Sequence, residues 1–162
     1  MSPSLTPAEA KMLGRRAAQP VRMPGELLAV FVAGKLVNTK NARLHHMAEY
    51  RYKNGWLERT ALALLIDAGW KPTDQPHFRS LRISFLCNVA RLMDEQDGLR
   101  IACAPVLDAL GMCGVLTGKI EKAGRGDEPH RGHEIIYAQQ INRAQRGVTI
   151  RVSLRRAEGA CP

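Results

Sequence analysis

The chain has 162 residues, with 24 Lys and Arg against 15 Asp and Glu, so its formal net charge is +9 with neutral histidines. This length predicts a single domain, and 45% hydrophobic with 24% charged residues exclude wholesale disorder. No apolar run approaches the ~20 residues of a membrane span, and the segment MSPSLTPAEAKMLGRR lacks a hydrophobic signal core, so we expect a cytoplasmic protein without membrane association. The excess positive charge predicts a polyanionic partner, most often nucleic acid.

The first half of the chain predicts an appendage, a strand and a long helix. Residues 1–26 contain four prolines and are interpreted as an N-terminal appendage with a short helix over Thr6–Arg16. Leu27–Gly34 is an apolar, partly β-branched run closed by glycine, which predicts a buried strand followed by a loop at 38–41. From Arg43 to Ala68, apolar residues at three- and four-residue steps predict a helix. The predicted apolar face of this helix contains Met47, Tyr50, Leu57, Ala61, Leu64 and Leu65.

The second half predicts three strands, a helix and a long loop. Phe78–Met93 alternates apolar and polar residues as a strand does, and Leu99–Leu110 has helical spacing. The inward residues predicted for that helix are Leu99, Ala102, Cys103, Val106, Leu107 and Leu110. Residues 117–132 are rich in Gly, Lys and Arg and predict a surface loop, and His133–Ile141 and Gly147–Leu154 predict two strands. This order indicates an α/β (α+β) fold, a small mixed β-sheet with helices packed on one face, over 27–154 and before a flexible basic tail at 155–162.

The four cysteines predict buried thiols in a reducing compartment, because they form no CxxC pair and no dense framework. One alternative is a zinc-stabilised basic adaptor. Its zinc ligands would be Cys103, Cys113, His130 and His133, although the spacing of the two cysteines matches no common zinc finger.

Carboxylates cluster where the second strand ends and the next helix begins. Asp94, Glu95 and Asp97 fall in this turn, and carboxylates two residues apart at a strand end can aim at one point, as Mg²⁺ requires. Asp127 and Glu128 form a second acidic pair, which would complete a site for metal-assisted phosphodiester hydrolysis. The alternative is helix capping, since acidic residues before a helix accept hydrogen bonds from its free N–H groups and Asp97 would do so without metal.

Several short motifs occur together in an order typical of one protein family. They are FVAG at 31–34 with Asn41, Arg43, His45 and Trp56, EQDGL at 95–99, APVLDAL at 104–110, GVL at 114–116, DEP at 127–129, YAQ at 137–139 and GVTIRV at 147–152. This order resembles that of the RusA-type Holliday junction resolvases over residues 27–154. The order and spacing of the motifs carry the resemblance, rather than any single motif.

The resemblance implies a homodimeric, Mg²⁺-dependent endonuclease that cleaves four-way DNA junctions in phage or prophage recombination and repair. Mn²⁺ is the expected substitute, and no organic cofactor is implied. The partner is branched double-stranded DNA, and symmetric cleavage needs two active sites related by a two-fold axis. We therefore expect a homodimer in the cytoplasm of a bacterial host.

The family's catalytic residues carry over onto two acidic segments. Its first aspartate falls on Glu95 and its second on Asp97, with Asp94 as a competing candidate for the first. Its closing pair falls on Asp127 and Glu128. The implied metal ligands are thus Glu95, Asp97 and Glu128, with Asp94 or Asp127 as an outer ligand or substitute, while Arg100 steers the phosphates.

The chain departs from the family pattern at several of these positions. Glutamates replace aspartates at Glu95 and Glu128, Gly98 replaces an asparagine, and the family lysine falls on Ile101 or Ala104. Arg100 supplies a fixed positive charge nearby but is not a substitute for lysine. These departures favour an alternative, a catalytically decayed protein that binds DNA junctions without cleaving them.

Basic residues on the long helix and in the following loop are candidates for DNA contact. They are Arg43, His45, Arg51 and Lys53 on the helix, and Lys119, Lys122, Arg125 and Arg131 in the loop. The alternative for both groups is an ordinary solvated surface. Trp56 and Trp70 are predicted to anchor the core or a dimer interface, because 5% aromatic residues are too few for a base-stacking surface.

Overall fold

A computed structural model describes residues 18–40, 42–71, 80–94, 97–116 and 133–155. The elements in chain order are β1 (Glu26–Ala33), α1 (His46–Leu62) continued by a π-helical turn (Ala63–Asp67), β2 (Leu81–Val89), α2 (Gly98–Met112), β3 (Glu134–Ile141) and β4 (Gly147–Leu154). The predicted helix at Thr6–Arg16, the loop at 117–132 and nearly all of the C-terminal tail lie outside the described residues. Within the described ranges, no helix is long and apolar enough to cross a membrane.

The four strands form one mixed sheet in the order β1-β4-β2-β3. β4 pairs antiparallel with both β1 and β2, whereas β2 and β3 run parallel. The chain therefore passes over the end of β2 on its way from β3 to β4. A small mixed sheet with two helices confirms the predicted fold class.

The core lies between this sheet and the two helices. Because successive side chains of a strand point to opposite faces, alternate residues of β1, β2 and β4 pack inward. They are Leu28, Val30, Val32, Leu81, Ile83, Phe85, Cys87, Val148, Ile150 and Val152, each at most 2% exposed. The register pairs Val30 with Ile150 and Ile150 with Phe85, so one apolar row crosses three strands.

The face predicted for α2 is confirmed. All six predicted residues are buried, from Leu99 at 1% to Leu107 at 6% exposed. Pro105 lies in the middle of the helix and is also buried, which removes one backbone donor without ending the helix. This apolar helix packs against β2, where Cys103 contacts Cys87.

The face predicted for α1 is only partly correct, because Leu64 is fully buried as predicted while three other members of the face are exposed. Met47, Tyr50 and Leu65 are 46%, 60% and 52% exposed, whereas Trp56 and Thr60 are fully buried. The large Trp56 indole lies at the sheet, with its Nε1 donating to the carbonyl oxygen of Lys35 at 3.3 Å, and this sets the rotation of the helix. Burial of Trp56 and Trp70 confirms their role as core residues.

Tyr52 joins three parts of the fold through one hydroxyl group. Its oxygen accepts a hydrogen bond from the backbone N–H of Val37 and donates one to the carbonyl of Ala102, each at 3.0 Å. The loop after β1 is thereby tied to both helices. The loop that contains Asn38 consequently has a fixed position against the start of α2.

We expect Tyr52→Phe to lower the free energy of unfolding by about 1–3 kcal/mol, because Val37 and Ala102 each lose a partner in a half-buried place. Urea unfolding measures this change. Tyr50→Phe is the matched control, and since Tyr50 is 60% exposed its effect should stay within about 0.5 kcal/mol. Equal effects of the two substitutions would contradict the role given to the Tyr52 hydroxyl.

Burial also makes two tyrosines sensitive to alkali. It raises the pKa of Tyr52 and of Tyr137, which stacks on Phe85, from 10.0 to about 12. As the pH rises, the unfolded chain therefore releases these protons at a lower pH than the folded chain. The contribution of the two tyrosines to stability is complete below pH 10 and is lost as the pH rises towards 12. We expect denaturant unfolding to show this loss, and the loss to shrink in the Tyr52→Phe, Tyr137→Phe double variant. An unchanged pH dependence would contradict the assignment.

Candidate metal and nucleic-acid site

The candidate metal site lies in the connection between β2 and α2. Asp94 is exposed in the connection, and Asp97 is the last residue before the helix. The carbonyl of Asp94 accepts from the N–H of Leu99 at 3.1 Å, and that of Asp97 accepts from the N–H of Ile101 at 3.0 Å. Both backbones are thus tied to the first turn of α2.

Gln139 of β3 fixes the same connection from the other side. Its Oε1 accepts from the N–H of Met93 at 2.9 Å, and its Nε2 donates to the carbonyl of Met93 at 2.8 Å. The parallel register places Gln139 opposite Cys87, on the helix-covered face of the sheet. One amide side chain therefore satisfies both polar groups of the residue that precedes Asp94.

Asn38 lies at this site although it is distant in the sequence. A Cβ on Gly98 would lie 3.6 Å from Nδ2 of Asn38, 3.5 Å from Cβ of Asp94 and 3.2 Å from Cβ of Met93. The space above Gly98 is therefore filled by residues from two other segments, and the Asn38 amide stands near the position of the missing family asparagine. Sequence reasoning missed Asn38, because no local pattern reports on a contact across this distance in the chain.

The capping interpretation of Asp97 is not supported. Asp97 occupies the N-cap position of α2, but its side chain accepts no hydrogen bond from the first turn. Its carboxylate is exposed and is not used to complete the helix. Helix capping therefore does not account for the Asp97 carboxylate.

Only part of the predicted metal site falls within the described residues. Asp94 and Asp97 are brought to the same turn, whereas Glu95, Asp127 and Glu128 lie outside the described residues. Among the residues that the structure describes, no group of three His, Cys, Asp or Glu side chains could hold a metal ion. The oxygen chemistry of Asp94 and Asp97 suits Mg²⁺, and the remaining ligands stay a prediction.

The alternative zinc set is incompatible with the fold. Cys103 lies inside α2 and Cys113 at its C-terminal end, and ten residues of helix separate them by about 15 Å. The Sγ of Cys103 is instead 3.4 Å from that of Cys87 in the core, and this hydrogen bond together with burial raises the pKa of Cys103. His133 is also engaged, since its Nδ1 accepts from the N–H of Leu81 at 3.0 Å.

The four candidate DNA-binding residues near the start of α1 differ in their local roles. Nδ1 of His45 accepts from the N–H of Met47 at 3.3 Å, so His45 caps the helix. Lys53 forms an ion pair with Glu49 at 3.0 Å. Arg43, with a φ of 45°, and Arg51 are exposed. Arg100 is exposed in the first turn of α2, three residues after Asp97. The other candidates, Lys119, Lys122, Arg125 and Arg131, lie outside the described residues.

A second set of cations, to which sequence reasoning assigned no role, lies around one end of the strands. These are Lys35, Arg59, Arg91, Arg143 and Arg146, all of them exposed. They come from different parts of the chain, and only the strand order brings them to one edge of the sheet. In the sequence, their one signal is the short basic segment 142–146 between two strands, which contains Arg143 and Arg146.

No protein-family model matches this chain, and no match was found among curated proteins or among solved structures. The resemblance to the RusA-type resolvases therefore stays a prediction.

Gln139→Ala tests whether this side chain fixes the site. Removing it frees the N–H of Met93, and we expect hydrogen exchange at that amide to accelerate roughly five- to tenfold, the equivalent of about 1 kcal/mol. Gln140→Ala is the matched control, because Gln140 lies on the opposite face and bonds to Asn88. Exchange at Met93 that is unchanged in Gln139→Ala, or equally accelerated in Gln140→Ala, would contradict this role.

Proposed function

We propose that this protein is a Mg²⁺-dependent endonuclease that acts on branched DNA. The observation that carries the proposal is the placement of Asp94 and Asp97. Their backbones are held to the first turn of α2, and Gln139 fixes the residue before Asp94. The resemblance to the RusA-type resolvases puts the second metal ligand on Asp97 and the first on Glu95, with Asp94 as the competing candidate.

The chain's own residues would divide the work between metal binding and phosphate binding. Asp97 and either Asp94 or Glu95 hold the ion, with Glu128 or Asp127 completing the ligand set. Bound Mg²⁺ supplies an activated water and stabilises charge on the phosphate. Arg100, in the first turn of α2, attracts the phosphate that lies next to the carboxylates.

The branched substrate and the homodimer are supported by the resemblance, whereas the charge of the chain supports only a nucleic-acid partner in general. A net charge of +9 favours approach to any nucleic acid and does not distinguish duplex from junction. A four-way junction has two symmetric cleavage positions, so a two-fold dimer presents one site to each. The preference for junctions over duplex is accordingly part of the proposal.

A second candidate function is junction binding without cleavage. Gly98 leaves α2 without the polar side chain of the family motif, and Arg100 cannot act as a lysine. The Asn38 amide lies over Gly98 and offers a polar group from another segment, which favours the enzyme. The two candidates differ only in the presence of a working metal centre.

A synthetic four-way junction and Mg²⁺ separate the two candidates. We expect the wild-type protein to nick the junction symmetrically, and Asp97→Asn to reduce the cleavage rate at least about a hundredfold, because the ion that would stabilise the transition-state charge loses a ligand. Affinity measured in EDTA should stay the same or rise, because a negative charge near the phosphates is lost. Denaturing gels and fluorescence anisotropy measure the two quantities.

Glu58→Gln is the control for this experiment. Glu58 is an exposed carboxylate on α1, and its loss should change neither cleavage nor affinity by more than about twofold, the equivalent of less than about 0.5 kcal/mol. Binding in EDTA without nicks after Mg²⁺ is added would contradict the enzyme and support the second candidate. Absence of binding would contradict both.

A further inference from the structure

All four strands meet one edge of the sheet in register. Ala33, Gly147, Asn88 and Gln140 lie side by side, one from each strand. With neighbouring strands 4.7–4.9 Å apart, this row is about 14 Å long. We call it the carboxyl edge, because β1, β2 and β3 all end there.

Five exposed cations surround the carboxyl edge. Lys35 follows β1, Arg91 follows β2 and Arg143 follows β3, while Arg146 precedes β4 and Arg59 lies on α1. We call these five residues the edge cations.

Three of the edge cations converge on Gly34. The N–H of Gly34 donates to the carbonyl of Arg146 at 3.1 Å, and Lys35 is the next residue in the chain. A Cβ on Gly34 would lie 3.0 Å from Nη2 of Arg59, which also stacks over the Trp56 ring at 4.8 Å. These contacts bring three basic residues to one short piece of backbone, with the guanidinium of Arg59 directly beside it.

The other two edge cations meet at the end of β2. The segment 142–146 crosses this end, with the N–H of Asn142 donating to the carbonyl of Val89 at 3.0 Å. Nε of Arg143 donates to the carbonyl of Ala90 at 3.3 Å, which places Arg143 next to Arg91.

A buried side chain also holds the crossing segment. Nδ2 of Asn88, a residue only 6% exposed, donates to the carbonyl of Gln145 at 2.9 Å. The N–H of Gln145 in turn donates to Oδ1 of Asn142 at 3.1 Å. The basic segment is therefore held in one conformation before any ligand arrives.

The edge cations differ from two arginines at the opposite end of the sheet in whether they form ion pairs. At the opposite end, Arg82 pairs with Glu134 and Arg151 pairs with Glu26, each at 2.8 Å. The hydrogen bond with Arg82 lowers the pKa of Glu134, as expected for such a pair. None of the five edge cations forms an ion pair with another residue that the structure describes. Like charges that have no carboxylate partner among the described residues repel one another until an anion neutralises them.

We propose that the carboxyl edge is the track along which the sugar–phosphate backbone of DNA runs to reach Asp94 and Asp97. The track deepens the proposed function and rests on it for the identity of the ligand as DNA. A row of about 14 Å suits a linear polyanion better than a single phosphate, since duplex DNA carries one charge per about 1.7 Å of axis. Asp94 follows Arg91 by three residues, so a backbone held on this edge passes close to the acidic pair.

The salt dependence of binding tests the track directly. On duplex DNA, log affinity falls with log salt concentration, and each phosphate contact adds about 0.9 to the magnitude of this negative slope. In EDTA, with a fluorescent four-way junction, we expect the Lys35→Gln, Arg146→Gln double variant to reduce the magnitude of the slope by about 1.8, and Arg91→Gln to reduce it by about 0.9. Arg146 contributes only its backbone carbonyl to the fold, so its substitution preserves the described contacts.

Arg82→Gln is the matched control, because it removes the same charge from a paired position at the opposite end. It should leave the slope unchanged. Equal slopes for the wild type and the double variant would overturn the track, as would an equal loss in Arg82→Gln. Circular dichroism and urea unfolding of every variant verify that it folds, and Arg91→Gln provides an independent second substitution.

Two further measurements distinguish this proposal from a protein partner and from the nuclease proposal. If polyglutamate binds as tightly as the junction, and this binding is lost in the double variant, the edge binds an acidic protein and the DNA track is overturned. Cleavage by the wild type in Mg²⁺ is scored separately. Reduced slopes without cleavage would support the track and contradict the nuclease, whereas cleavage with unchanged slopes would do the reverse.

Discussion

The parallel pairing of β2 with β3 is the constraint on which the candidate site depends. Because both strands end at the same edge, Gln139 can bond to Met93 and the segment after β3 can cross the end of β2. β4 then returns between β1 and β2, which brings the loop after β1 to that edge as well. An antiparallel β3 would place its basic turn at the far end of the sheet, away from Asp94 and Asp97.

The charge of the molecule is organised by the same constraint. Arg82 and Arg151 at the far end of the sheet are paired with carboxylates across neighbouring strands. The exposed Arg82–Glu134 pair adds little stability. The carboxyl edge has cations without such partners among the described residues, next to two carboxylates fixed at the start of α2. A surface of this kind attracts a polyanion while keeping one acidic point beside it, which is the arrangement that metal-assisted hydrolysis of a phosphodiester requires.

The sequence predicted the elements whose pattern is set by burial alone. The alternation from Leu81 to Cys87 and the helical spacing from Leu99 to Leu110 report directly on one buried face, and both were confirmed. The α1 face was predicted only in part, since Leu64 is buried but Met47 and Tyr50 are exposed. The bulky indole of Trp56 sets the helix rotation and the polar Thr60 is buried, which no apolar periodicity reveals. Asn38 and the edge cations depend on strand order, which a single sequence does not encode locally.

The central claim is that DNA lies on the carboxyl edge beside the acidic turn. Amide NMR spectra of the isotope-labelled protein, recorded with a four-way junction in EDTA, test it most directly. We expect shifts concentrated at Gly34, Lys35, Arg91, Asp94 and the segment 142–147, with Arg82, Glu134 and Arg151 unaffected. Shifts centred on the paired end of the sheet, or none at the carboxyl edge despite binding, would contradict it.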